Sequence, residues 1–177
     1  MNSFTDEQLM EFFQTNKDGQ GAIAFDHLYK RYAKRMVNFF YYSLRNDFAK
    51  SQDFLHDLFL KIIENKNKFD KNQQFQAWIY RIASNMCKNE FRSININQKY
   101  QSHVLFTNNS IEVRQEINKD MQLYINSLEQ DQRSLIILRF KFNLTIKEIA
   151  NIFECAEGTI KSRLFYATKE LSKIYNA

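Results

Sequence analysis

The sequence predicts an all-α protein of two small helical domains, a four-helix N-terminal domain and a C-terminal helix-turn-helix domain, joined by a flexible linker. Three observations carry that expectation. The 177 residues contain three Gly and no Pro, and the tight turns of sandwiches and barrels are made from those two residues, so an all-β architecture is excluded. Apolar residues recur three and four apart through most of the chain, the period of a helix with one buried face. One internal stretch loses that period and is rich in Asn, Gln and Ser, which is the composition of a connecting segment.

The elements follow in order. Residues 3–15 read as a short helix, with Thr5 and Gln8 as a capping box and Leu9, Phe12 and Phe13 as its apolar stripe. A Gly-bearing loop from Asn16 to Gly21 comes next. From about Ala22 to Leu44, Phe25, Leu28, Tyr29, Tyr32, Met36, Phe39 and Phe40 keep helical spacing, with Lys30, Arg31, Lys34 and Arg35 on the other side. A third helix, about 49–66, gathers Leu55, Leu58, Phe59, Ile62 and Ile63. After the polar loop Asn65 to Gln74, a fourth runs to about Arg92, apolar at Phe75, Trp78, Ile79, Ile82, Ala83 and Met86. Residues 1–92 are therefore the first domain, 93–118 the linker and 119–177 the second domain. In the last part Thr145 and Glu148 form another capping box, followed by Ile149, Ala150 and Phe153. A connection of four residues, Glu154 to Glu157, leads to a longer helix with Ile160, Leu164, Ala167, Leu171 and Ile174 on one face. Short helix, short turn, longer helix is the helix-turn-helix pattern, and Ala150 is small enough for the two helices to cross closely.

Composition removes several function classes. Gly19, Gly21 and Gly158 are the only glycines, too few for a phosphate loop or a dinucleotide fingerprint, and no cofactor is implied. No apolar run approaches the roughly 18 residues of a membrane span, and the start is acidic rather than basic then apolar, so no membrane insertion or export is expected and the cytoplasm is the expected compartment. Cys87 and Cys155 stand alone, which implies no disulfide framework. Asp53, His56 and Asp57 fall together on the third helix, but no second cluster completes a metal-ligand set. The cysteines and His27, His56 and His103 match no nucleophile–base signature, so the chain is not expected to be an enzyme.

The net charge is +5, divided as +3 over residues 1–92, zero over 93–118 and +2 over 119–177. Neither end is strongly basic, so a nucleic-acid surface has to be local. Two helix faces qualify. The last helix presents Lys161, Ser162, Phe165, Tyr166, Lys169 and Lys173 opposite its apolar stripe, cations for phosphates and hydroxyl or aromatic groups for base edges. On the fourth helix Arg81, Asn85, Lys88 and Arg92 step by four, three and four, three cations and an amide on one face. Either face also suits an ordinary solvated helix. Trp78 at core spacing reads as core before it reads as a base-stacking platform.

The stretch Leu144 to Leu171, above all Glu148-Ile149-Ala150 and Glu157-Gly158-Thr159-Ile160-Lys161-Ser162-Arg163-Leu164, closely resembles the promoter-reading C-terminal domain of bacterial extracytoplasmic function (ECF) sigma factors. Leu128 to Phe140 is similar to the helices that precede it. The resemblance implies binding to the −35 promoter element, with Ser162, Phe165 and Tyr166 matching base-facing positions and Lys161 and Arg163 matching positions near phosphates. Glu154 stands where the family usually has Gly in the turn, and Tyr166 where Arg is common. Leu28-Tyr29 with Tyr32, then Asp53 to Leu60, then Phe75 to Asn85 ending at Arg92, resemble the N-terminal domain of the same family. There the third helix docks on the clamp coiled coil of the β′ subunit of core RNA polymerase, which implies that role for Asp53, His56, Asp57 and Phe59. The fourth helix and the loop before it bind and open the −10 element, which implies that role for Arg81, Asn85, Lys88 and Arg92. His56 and Asp57 replace the usual Gln and Glu. The implied partners are core RNA polymerase, promoter DNA and an anti-sigma factor. The alternative is a stand-alone helix-turn-helix regulator, expected to bind a palindromic site as a dimer without polymerase.

Overall fold

The computed structural model describes residues 3–16, 19–100 and 124–175, helical throughout with no strand among the described residues. Helix α1 spans Asp6–Thr15. The Thr5 hydroxyl accepts from the Gln8 N–H at 3.2 Å and the Gln8 side chain accepts from the Thr5 N–H at 2.9 Å, so the expected box closes reciprocally. Leu9, Met10 and Phe13 are buried against α2, Gln20–Ser43. The turn between them depends on glycine twice. Gly19 has φ +52°, and a Cβ on Gly21 would lie 2.4 Å from the carbonyl oxygen of Asn16, closer than any side chain tolerates.

Helix α2 buries Ala24, Leu28, Tyr32, Met36, Phe39 and Phe40. The link to α3, Phe48–Glu64, passes through Arg45 and Asn46 at positive φ and ends on Asp47, whose carboxylate caps α3 by accepting from the Lys50 N–H at 2.9 Å. A 3₁₀ turn at Lys66–Lys68 follows. Gln14 of α1 holds it by donating to the carbonyls of Lys66 and Phe69 at 2.6 and 2.9 Å. Helix α4, Phe75–Tyr100, is capped from a distance: Glu7 on α1 accepts from the Phe75 N–H at 3.0 Å. Acidic Glu7 thereby serves the positive end of a neighbouring helix. Helix α4 is two turns longer than the stripe ending near Arg92 suggests. The segment expected to be linker over 93–118 thus begins as helix, and its remainder from 101 lies outside the described residues.

In the C-terminal half, helix α5 spans Gln130–Ile136 and widens into a π-helical segment, Ile137–Lys141. Helix α6, Ile146–Phe153, and helix α7, Glu157–Tyr175, form the helix-turn-helix. Thr145 and Glu148 make the second capping box, with bonds of 2.7 and 3.2 Å. Ile149, Ala150, Ile152, Ile160, Leu164 and Ala167 are buried between the helices. The turn keeps the left-handed conformation at Glu154, φ 50° and ψ 46°, where glycine is the residue without steric cost.

The buried residues of both halves form one continuous core rather than two. Phe142, just after the π segment, stacks edge-on against Phe39 of α2 and Tyr80 of α4 at 6.1 and 6.0 Å, and the Arg35 guanidinium lies over both Tyr80 and Phe142. Arg133 of α5 reaches back to the Ser43 carbonyl at 3.2 Å and lies 4.8 Å over the Phe91 ring. Aromatic edges and cation–π contacts, each worth about 0.5–2 kcal/mol, join the halves.

Candidate nucleic-acid interface

Helix α7 divides cleanly. Ile160, Leu164 and Ala167 are locked into the core by α6, which leaves Lys161, Ser162, Arg163, Phe165 and Tyr166 exposed together. Phe165 and Tyr166 are 61% and 60% exposed and touch in a T-shaped pair, centroids 5.6 Å apart. The two adjacent aromatic side chains thus stand in water beside three polar neighbours. The ring edges and the Tyr166 hydroxyl suit base edges and thymine methyls, and Lys161 and Arg163 suit phosphates.

Helix α4 carries the second candidate face, and its members have different fates. Asn85 and Arg92 are exposed. Arg81 is engaged by the end of α6: its Nε donates to the Ile152 carbonyl at 3.2 Å, one Nη donates to the Asn151 carbonyl at 2.9 Å, and the other pairs with the Glu154 carboxylate at 2.6 Å. Lys88 pairs with Asp131 of α5 at 2.8 Å. Trp78 is core, 7% exposed and packed on Phe69 and Phe75 at 5.2 and 6.0 Å. The loop before α4 lies against α1 through Gln14 and through Lys66, whose ammonium donates to the Phe13 carbonyl at 3.1 Å.

On α3, Asp53, His56 and Asp57 are exposed, and they adjoin the exposed apolar side chains of Leu60 and Ile63. Phe59 requires a correction. It is 4% exposed, between Phe25 at 5.8 Å and Tyr29 at 4.7 Å, so it builds the α2–α3 seam and offers nothing to a docking partner. Among the described residues no group of three His, Cys, Asp or Glu side chains is placed to hold a metal. No described helix is long and apolar enough to cross a membrane.

Sequence reading missed three residues that shape these faces. Arg133, Asp131 and Phe142 sit in patterns typical of solvated or generic helix positions, and only the tertiary packing shows what they meet. Glu154 was visible as an odd residue in a turn, without any sign of its partner Arg81.

Residues 28–95 match the family described as Sigma-70 region 2, and residues 119–171 match the one described as Sigma-70, region 4. The chain is 27% identical to the RNA polymerase sigma-H factor of Pseudomonas aeruginosa, covering 95% of this chain and 92% of that protein. It is 26% identical to the ECF RNA polymerase sigma-E factor of Escherichia coli, over 94% and 92% respectively. The sigma factor RpoE from Bartonella quintana, solved in complex with the anti-sigma factor NepR, has a TM-score of 0.70 at 24% identity, over 86% of this chain and 97% of that one. CnrH, solved in complex with the cytosolic domain of CnrY, gives 0.69 at 17% identity over 97% of each chain. The structural likenesses establish the helical fold. With both sigma-70 regions present in order and relatives matched along nearly their whole length, the chain belongs to the ECF sigma factors of the sigma-70 family and acts in promoter-directed initiation of transcription.

Proposed function

We propose that residues 1–92 act as the polymerase-binding and −10 domain and residues 119–177 as the −35 domain, each reading a short element that neither would hold tightly alone. Helix α7 reads the −35 duplex: Ser162, Phe165 and Tyr166 meet base edges, and Lys161 and Arg163 meet phosphates. The observation that carries this assignment is the exposed aromatic pair on α7, flanked by cations and fixed from behind by α6. Tyr166 lacks the fork with which Arg grips guanine, so the preferred −35 sequence differs from one read by Arg at that position.

Helix α4 and the loop Asn65 to Gln74 serve the −10 element through Arg81, Asn85, Lys88 and Arg92. Opening the duplex there costs a few kcal/mol per unstacked step, which contacts to an extruded base offset. Exposed Asp53, His56 and Asp57, beside the apolar Leu60 and Ile63, make α3 the surface for the β′ clamp coiled coil. The protein performs no covalent chemistry of its own; held on the polymerase, the two domains gain from effective concentration. Two structural relatives are recorded in complexes, one of them with a protein described as an anti-sigma factor, which supports capture of this chain by such a partner.

The test is run-off transcription with purified core RNA polymerase on promoters selected after overexpression of the chain. Initiation that needs both the chain and the polymerase is the expected result. Tight binding of a palindrome by a dimer, without polymerase and without initiation, would establish the stand-alone regulator instead.

A further inference from the structure

Helix α1 lies ahead of residues 28–95, the stretch that matches Sigma-70 region 2, so that match gives it no role. One of its faces is ordinary core, with Leu9, Met10 and Phe13 buried. A second face is polar and directed. Glu7, Glu11 and Gln14 step by four and three, which puts them in one line along the helix, and each meets the segment between α3 and α4. The Gln14 amide donates to the Lys66 and Phe69 carbonyls at 2.6 and 2.9 Å. The Glu7 carboxylate accepts from the Phe75 N–H at 3.0 Å. Lys71 pairs with Glu11 at 3.5 Å, an exposed contact that adds little. Lys66 in turn donates to the Phe13 carbonyl at 3.1 Å and lies 4.6 Å over the Phe13 ring. That carbonyl is among the last four of α1, at its negative pole.

The bonds from Gln14 and Glu7 fall on backbone at the two ends of the loop Asn65 to Gln74. Between those ends the chain is pinned at Phe69, which is buried edge-on to Phe75 and Trp78 at 5.9 and 5.2 Å. It is turned back at Asp70, whose carboxylate accepts from both the backbone and the side chain of Asn72 at 2.9 Å. With the backbone fixed, Asn67, Lys68 and Gln74 remain exposed. Two of them are amides, able to donate and accept at a base edge, and the third is a cation for a phosphate. A loop ordered in advance loses little further conformational entropy when it grips a base.

We infer that Glu7 and Gln14 are positioning residues for −10 recognition: α1 holds the loop backbone at both ends so that Asn67, Lys68 and Gln74 receive an extruded base in a fixed geometry. The inference rests on the assignment of this loop to the −10 element and adds the element that shapes it.

The experiment uses the full chain reconstituted with core RNA polymerase. The probe is a single-stranded oligonucleotide carrying the −10 sequence of a promoter selected after overexpression, together with a set in which each base is changed in turn. Fluorescence anisotropy gives the affinity for each oligonucleotide, and the ratios give base discrimination. Binding is measured below the melting transition of every variant, located by circular dichroism. Glu7→Ala and Gln14→Leu delete the bonds to the loop, whereas Glu7→Gln keeps an acceptor for the Phe75 N–H. Thr5→Ala removes the α1 cap, at a similar cost in stability, without touching the loop. Discrimination is expected to fall about fivefold to tenfold in Glu7→Ala and Gln14→Leu, the scale of one or two hydrogen bonds. Glu7→Gln and Thr5→Ala should keep the wild-type value. An equal loss in Thr5→Ala overturns the positioning role, because the effect is then stability alone. So does unchanged discrimination in Glu7→Ala and Gln14→Leu while an Asn67→Ala, Gln74→Ala double variant lowers it, which leaves the loop's assignment intact. Unchanged affinity and discrimination in that double variant overturns the assignment of the loop to the −10 element, and the inference with it.

Discussion

Arg133 shows how much one side chain can hold. It is 1% exposed, and its guanidinium donates to the carbonyls of Ile125, Asn126, Leu128 and Ser43 at 3.2, 2.7, 2.9 and 3.2 Å. The rigid fork suits this task, because a guanidinium presents five N–H groups in fixed directions whereas an ammonium presents three on a freely turning stem. Burial, followed by the charge of Arg45, draws its pKa down to about 10, against a smaller raising influence of Cys87. Arg133→Met keeps the volume and removes the donors, which strands buried carbonyls that each cost about 1–3 kcal/mol unpaired. The expected loss is about 3–5 kcal/mol in urea unfolding, on the scale of a broken buried polar network. Arg133→Lys should recover only part of it. Gly21→Ala is the matching backbone prediction: its methyl meets the Asn16 carbonyl at 2.4 Å, and backbone cannot retreat as a flexible side chain would. We expect about 1–3 kcal/mol of destabilisation, read from the thermal midpoint.

At the scale of the element, features fixed by neighbours in sequence were legible. Both capping boxes, the α6–α7 turn and the buried side of α7 follow from spacings of three and four residues, and the structure repeats them. Thr145→Ala removes the acceptor for the Glu148 N–H and should cost about 1 kcal/mol, measured by urea midpoint. Features decided by distant packing were not legible. Phe59 and Ile63 carry the same apolar signal, yet one is buried on Phe25 and Tyr29 and the other is exposed. The last two turns of α4 lack any apolar stripe, so periodicity stops near Arg92 while the helix does not. The candidate faces were found as residues but not as surfaces, since nothing local places Glu154 and Asp131 across from Arg81 and Lys88. The exposed end of α7 yields a cleaner expectation. Lys161→Ala should weaken binding to promoter duplex uniformly across sequences and reduce the log–log salt slope by about 0.9, one phosphate contact. An unaltered slope would remove Lys161 from the phosphate contacts.

For the whole molecule the shared core has a measurable consequence in alkali. Cys87 is fully buried in it, and burial, the largest influence, pushes its thiol up to about 12 from an ordinary 9.0. Between those values the unfolded thiol ionises and the folded one does not. The unfolded state then binds fewer protons, and stability falls as pH rises, by up to about 1.4 kcal/mol per pH unit. Tyr32 and Tyr80 lose stability in the same direction from about pH 10, since burial raises both phenols and the Tyr32 hydroxyl also donates to Asp6 at 2.5 Å. Arg133 opposes them. Its lowered value means that the folded state sheds a proton first, which raises stability from about pH 10 upward. Burial also raises the phenols of Tyr41 and Tyr42 and lowers the pKa of the Lys141 ammonium. Five falling contributions thus stand against two rising, and the net decline starts near pH 9, where Cys87 leads, and steepens beyond 10. Urea midpoints at pH 7, 8, 9, 10 and 11 should therefore be flat to about 8.5 and drop thereafter. Cys87→Ala should start lower, because it leaves a small cavity, but stay flatter between pH 9 and 10. Parallel curves for the two proteins in that interval would mean that the thiol ionises without unfolding, and that the seam between the halves at α4 is open to water.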